Sequence, residues 1–174
     1  RQFGITKLEL VVPGGETGQE SIRNGLNAIA EKYQEDDVVV MIHDGNRPMI
    51  SDAIISDSLR VFQAKGNAVA VIPCTEVVFN CQNGQEATKE IPREELWRTQ
   101  TPHTFRLQKL LWACDQAQQK GMTGMAAMCQ LMARLGETLY FSKGSEKNLK
   151  LTTMDDMDIF KSLLNTEKSV WPRG

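Results

Sequence analysis

The chain has 174 residues, 41% hydrophobic and 24% charged, an ordinary globular balance that excludes disorder and fits one domain over residues 1–174. Lys plus Arg number 20 against 22 Asp plus Glu, so the formal charge of −2 speaks against a nucleic-acid partner. No apolar run approaches the roughly 18 residues that a membrane span needs.

Taken in chain order, Ile5 to Val12 reads as a strand that ends at Pro13-Gly14-Gly15. Ser21 to Tyr33 carries apolar residues at Ile22, Leu26, Ile29 and Ala30, a helical spacing. Asp37 to Ile42 is a β-branched run of the kind expected for a parallel strand buried on both faces. Ser51-Asp52 predicts a helix start, with Ile54, Ile55, Leu59 and Phe62 as its inner face. Asn67 to Ile72 reads as a third buried strand, stopped by Pro73. This alternation predicts an α/β domain with a largely parallel sheet. The pattern changes at Thr75. Glu76 to Cys81 and Glu86 to Ile91, around Asn83-Gly84, predict a β-hairpin, and residues 75–92 read as a protruding arm. Helices follow at Phe105 to Lys120 and Met125 to Leu135, short strands at Thr138 to Ser142 and Asn148 to Leu151, and a last helix at Thr153 to Leu164. Asp155, Asp156 and Asp158 stand in that helix's first turns, where the dipole favours acids. Asn165 to Gly174 reads as a loose tail.

Cys74, Cys81, Cys114 and Cys129 form no CxxC pair, and His43 and His103 lie far apart. A structural zinc site is not expected; reduced thiols in the cytoplasm are. Arg1-Gln2-Phe3-Gly4 shows no signal-peptide pattern.

Five segments could carry chemistry. Gly14 to Ser21, between a strand end and a helix start, could bring backbone N–H groups to an anion, or could simply be a tight turn with Glu20 or Ser21 near the cap. His43-Asp44-Gly45-Asn46-Arg47-Pro48 follows a strand at the edge where ligands of open α/β sheets bind. Asp44 could take a metal or a hydroxyl and Arg47 a phosphate, the plainer alternative being a local ion pair. His43 is expected to be packed or hydrogen-bonded, not catalytic. Arg93 puts a cation at the base of the arm, or is a surface arginine. Thr99 to Phe105 reads as the N-cap region of a helix. Lys150 lies between Leu149 and Leu151 and is expected to point the opposite way from them. In a cleft its ammonium could stabilise charge on a phosphoryl group; otherwise it is an exposed strand lysine.

In order, these segments resemble the cytidylyltransferase family that contains methylerythritol phosphate cytidylyltransferase and ribitol-5-phosphate cytidylyltransferase. The match runs through Gly14-Gly15, Ser21-Ile22, Asn24-Gly25-Leu26 and Ile42-His43-Asp44-Gly45-x-Arg47-Pro48. It continues through Arg93-x-x-Leu96-Trp97, Gln100-Thr101-Pro102, Phe105, Asn148-Leu149-Lys150-Leu151-Thr152 and Asp156. The resemblance implies a Rossmann-like fold and a magnesium-dependent reaction of CTP with a polyol phosphate, giving a CDP-alcohol and pyrophosphate. It implies that Gly14, Gly15 and Ser21 line the cytidine pocket. Asp44 and Arg47 would hold the polyol phosphate with Thr123 nearby, and Lys150 would steady the pentavalent phosphorus. Arg93 would reach the substrate phosphate of a neighbouring subunit, in a homodimer with exchanged arms. The methylerythritol member would place the protein in isoprenoid biosynthesis. Val77 stands where the family has a threonine and Gly124 where it has an aspartate, which favours a pentitol such as ribitol 5-phosphate. Gly18 replaces a common arginine and His103 a common glutamine. The family's opening strand and triphosphate loop have no counterpart ahead of Arg1, so an N-terminally truncated domain is expected. Two alternatives are a non-catalytic relative serving as a binding or assembly module, and a sugar-phosphate nucleotidyltransferase that uses another nucleotide.

Overall fold

The computed structural model describes residues 5–34 and 37–170, with side chains through 166. The chain divides into two compact units, each built from two separate stretches. The first takes the described residues up to Val40 together with Phe105–Leu139; the second takes Met41–Thr104 and the described residues from Tyr140 onward.

The first unit holds α1 (Gly18–Lys32), α3 (Leu107–Gln119) and α4 (Met128–Arg134), with α1 packed on α3 and α3 on α4. Leu26, Leu107, Leu110, Ala113, Ala117, Leu131 and Met132 are among its buried apolar residues. Helix α1 begins before the expected Ser21. Thr17 is its N-cap and accepts from the Glu20 backbone N–H at 3.1 Å, while the Glu20 carboxylate accepts from the Glu16 N–H at 2.7 Å. Thr-x-x-Glu is a capping-box spacing, which explains the earlier start. Helices α3 and α4 are shorter than their sequence patterns, and neither has a side-chain cap.

Ile5 to Val12 is not a strand. The segment is irregular, and Ile5, Leu8, Leu10 and Val11 are exposed. An apolar alternation makes a strand only when a neighbour completes its ladder, and none does so among the described residues.

The second unit carries α2 (Asp52–Lys65), all but two strand ends of a sheet, the arm and α5 (Met154–Val170). The sheet has the order β1-β5-β2-β6, with β1 at Val39–Ile42, β2 at Ala68–Pro73, β5 at Trp97–Arg106 and β6 at Phe141–Lys143. Strand β2 runs antiparallel to β5 and parallel to β6. Ala68 to Ile72 are buried, as their uninterrupted apolar run requires, each large side chain contributing about 1.5–3 kcal/mol. Helix α2 covers β2 and β6. Its Ser51 cap accepts from the Ile54 N–H at 3.4 Å, and Gly66 closes it at φ 86°. Beneath it Ser58 and Thr104 share a buried hydroxyl contact at 2.7 Å, and Asp57 accepts the Lys143 N–H at 2.8 Å.

Strand β1 is a correction to the doubly buried strand expected over 37–42. It is four residues long and stands at the edge of its sheet, with Val39 exposed. Strand β5 corrects a second expectation, since 99–105 is sheet and not a helix cap. The proline at 102 cannot complete a regular ladder, and the register shift between Val69 and Val71 absorbs it as a bulge. The arm consists of β3 (Val78–Asn80) antiparallel to β4 (Lys89–Ile91), shorter than the expected hairpin strands. At its tip Asn83 Oδ1 accepts from the N–H groups of Gln85 and Glu86 at 3.0 and 3.2 Å, and Gly84 has φ 74°. Residues 148–151 are loop, not strand. Helix α5 runs through most of the segment expected to be a loose tail; 171–174 lie outside the described residues.

Candidate functional site

Within the second unit, the loop after β1 and the loop after β6 meet beside the bulge of β5. Asp44 is the hub. Its Oδ2 accepts from Arg47 Nε and from Lys150 Nζ, each at 3.2 Å. Burial pushes the Asp44 carboxyl up, but the Lys150 ammonium and the Arg47 guanidinium outweigh it and hold the group below its ordinary range. Asp44 is therefore ionised at neutral pH. The Lys150 side chain is 42% exposed and open to a ligand, whereas that of Arg47 is only 11% exposed. Arg47 Nη1 also donates to the Asn148 carbonyl at 2.7 Å, so the guanidinium braces both loops.

The bulge supplies the floor. The Asp44 N–H donates to Thr101 Oγ1 at 3.0 Å, and Thr101 Oγ1 lies 3.0 Å from His43 Nδ1. Since that oxygen already accepts from Asp44, its own proton goes to Nδ1, leaving His43 Nε2–H to donate to the Arg47 carbonyl at 2.9 Å. His43 is thus hydrogen-bonded on both sides, as expected. Asn148 is fully buried, and its Nδ2 donates to the Thr101 carbonyl at 2.8 Å and to Gln100 Oε1 at 3.3 Å. Gln100 in turn donates to the Ser145 carbonyl at 2.9 Å and accepts from the Ser145 N–H at 3.2 Å. From sequence, Gln100 and Thr101 read only as part of a helix cap and, with Asn148, as motif residues of the resemblance, and Asn46 is given no role. Gln100, Thr101 and Asn148 form a buried polar set, which only burial reveals, whereas Asn46 is exposed.

His103 is also buried on β5. Burial pushes its imidazole down to about 4, against the pull of the Asp44 charge. Between the ordinary 6.5 and about 4, the unfolded chain takes up a proton that the folded chain refuses. The stability present above pH 6.5 is therefore lost as the pH falls towards 4. Urea unfolding of His103→Gln is expected to lack this slope, a difference on the order of 3 kcal/mol across the window. Parallel pH dependence in both proteins would refute the assignment.

The remaining sequence candidates fall elsewhere. Arg93 opens the short 3-10 turn Arg93–Glu95 and donates from Nη1 to the Thr75 carbonyl at 3.0 Å, tying together the two ends of the arm. It engages the arm, not the Asp44 group. In the first unit, the Gly15 N–H donates to Ser21 Oγ at 3.0 Å, and that hydroxyl donates to the Thr17 carbonyl at 3.0 Å. A Cβ on Gly15 would lie 2.2 Å from Glu20 Cβ, so no other residue fits that turn; one on Gly14 would lie 3.3 Å from Ser21 Oγ. Thr123 lines a cavity of about 230 Å³ with Thr17, Gln19, Arg23 and Met122. Gln19 holds its loop by donating to the Met122 carbonyl at 3.1 Å and accepting from the Met125 N–H at 3.4 Å.

A family model described as IspD, 2-C-methyl-D-erythritol 4-phosphate cytidylyltransferase, matches residues 2–166. The chain belongs to the IspD family. Membership makes it a nucleotidyltransferase, and the Rossmann-like α/β fold is the one expected. A ribitol-5-phosphate cytidylyltransferase of Lacticaseibacillus paracasei is 41% identical over 170 residues, 97% of this chain and 72% of the relative. A 2-C-methyl-D-erythritol 4-phosphate cytidylyltransferase of Geotalea uraniireducens is 38% identical, over 97% of this chain and 70% of the relative. Among solved IspD structures, the Francisella tularensis enzyme superposes with a TM-score of 0.79 at 27% identity, over 87% of this chain and 70% of that one.

Proposed function

We propose that the protein transfers the cytidylyl group of CTP to the phosphate of ribitol 5-phosphate, releasing pyrophosphate and CDP-ribitol. The observation that carries this reading is the joining of Asp44, Arg47 and Lys150 at one carboxylate oxygen, with the Lys150 head accessible. A phosphate oxygen of the polyol attacks the α-phosphorus, the new P–O bond forms, and the bond to the bridging oxygen breaks with its electron pair leaving on pyrophosphate. The nucleophile is already anionic, because the second ionisation of a phosphate monoester falls near about pH 6. No general base is required, which suits a carboxylate held ionised. Asp44 serves as an acceptor for a polyol hydroxyl and as the anchor of both cations. Arg47 keeps Asp44 in place, and Lys150 neutralises charge gathering on the phosphorus oxygens. The roles of Gly14, Gly15 and Ser21 toward the cytidine, and of Thr123 toward the polyol, rest on the family resemblance.

Among the described residues no three His, Cys, Asp or Glu side chains cluster as a metal site. A single carboxylate already flanked by two cations suits a magnesium ion that arrives on the triphosphate, held by phosphate oxygens and water. Bound there, the ion would supply charge neutralisation for the departing pyrophosphate. The reading includes a homodimer. Exposed Val77 and Phe79, and an arm braced at its base by Arg93, support an arm that inserts into a second copy. No helix among the described residues is long and apolar enough to cross a membrane, and the reading places the protein in the cytoplasm, where CTP is made.

The polyol is the finer part of the reading. Val77 and Gly124, and relatives at 41% and 35% identity that are ribitol-5-phosphate cytidylyltransferases, favour ribitol 5-phosphate over methylerythritol phosphate and its isoprenoid pathway. The test is pyrophosphate release by the complete native protein with CTP or UTP and with either polyol phosphate, before and after chelation. The expected result is loss of release on chelation, no turnover with UTP, and kcat/KM at least about tenfold higher for ribitol 5-phosphate. A preference for methylerythritol phosphate would overturn the substrate, and a preference for UTP the nucleotide.

A further inference from the structure

Lys150 stands on irregular backbone at the end of a flexible side chain, so where its ammonium sits depends on what fixes the loop. On one side the loop is fixed by buried Asn148. On the other side, at the residue immediately after Lys150, it is tied by Asn46. The Leu151 N–H donates to the Asn46 carbonyl at 2.8 Å, and Asn46 Nδ2 donates back to the Leu151 carbonyl at 3.0 Å. These two bonds close a ring between the loop that carries Asp44 and the loop that carries Lys150.

We infer that Asn46 is a positioning residue for transfer, holding Lys150 in register with Asp44 through its carboxamide clamp on Leu151. The inference rests on the reading of Lys150 given above. Position 46 is the unmatched place in the His43-Asp44-Gly45-x-Arg47-Pro48 resemblance, which gives it no role. The backbone half of the clamp survives any side chain at 46. The other half needs an N–H donor of this length, which Asn supplies and Ala does not. The side chain is exposed and buries nothing, so its loss should leave the fold intact while letting Lys150 drift. A drift of about 1 Å is enough to slow a reaction that depends on alignment by tens of fold.

The experiment is a double-mutant cycle in the complete native protein, with Asn46→Ala, Lys150→Ala and the pair, followed by pyrophosphate release and thermal melting. Asn46→Ala is expected to lower kcat by about tenfold, to leave KM for CTP within about twofold, and to leave the melting midpoint unmoved. In the Lys150→Ala background the same change is expected to have no further effect, because there is then no ammonium to misplace. An equal loss in both backgrounds, or wild-type kcat in Asn46→Ala, overturns the positioning role. Wild-type turnover in Lys150→Ala alone is a different outcome: it removes the role of Lys150, on which the inference stands.

Discussion

Lys150→Ala is expected to lower the rate of pyrophosphate release by about 10³-fold, close to 4 kcal/mol of transition-state stabilisation. The magnitude follows from what the ammonium does. The attacked phosphorus gathers negative charge on its outer oxygens, and a preoriented cation costs no reorganisation at that moment. The same change should move the melting midpoint little. Lys150 is 42% exposed, and its pair with Asp44 is of the half-solvated kind worth roughly 0–1 kcal/mol. Lys150→Arg keeps the charge but not its shape, and should recover only part of the rate. The decisive comparison is therefore rate against stability. A variant that melts normally and turns over at the wild-type rate would leave the lysine without a role.

Asp44→Asn is expected to cost both stability and activity. The amide keeps the shape but not the charge. Lys150 can turn to water, but Arg47, at 11% exposure, cannot escape so readily. Leaving that guanidinium without its anion should destabilise the protein by about 1–3 kcal/mol, between an exposed and a fully buried pair. At this chain length that corresponds to a fall of about 2–4 °C in Tm per kcal/mol. Turnover should fall by about 10²-fold, since the variant loses a polyol acceptor and the anchor of Lys150 together. The wild-type carboxyl is held below its ordinary range, so its stabilisation is present above that range and lost as the pH falls through the lowered value. The stability gap between wild type and variant should therefore close in strong acid. A gap that persists unchanged there would show that the Asn variant fails for a steric reason.

The parts of the molecule that were legible in the sequence are those set by local pattern. Ser51 and the following apolar spacing marked α2, Asn67 to Ile72 marked β2, Asn83-Gly84 marked the arm's tip, and Asp156 stood where its Oδ2 now caps Thr152 and Thr153 at 2.9 and 2.7 Å. The Thr17-x-x-Glu20 spacing also lies in the local pattern, one turn ahead of Ser21. Asp44, Arg47 and Lys150 could be picked out as charged residues next to apolar runs. What their order could not convey was that one carboxylate oxygen serves both cations.

Local pattern by itself determined that this is an α/β chain with a hairpin arm and a charged segment after the strand that ends at Ile42. Helical and strand periodicities are properties of neighbours along the chain, and caps and turns need only a few adjacent residues. Tertiary structure alone decided three other matters. Ile5 to Val12 stays irregular because a ladder needs a second strand. Thr99 to Phe105 becomes sheet because β2 pairs with it and the bulge takes up Pro102. Asn46, Thr101 and Asn148 become parts of a site because hydrogen bonds between residues about 50 to 105 positions apart hold them there. Such bonds depend on where the backbone has already been carried, and no periodicity along the chain encodes that distance.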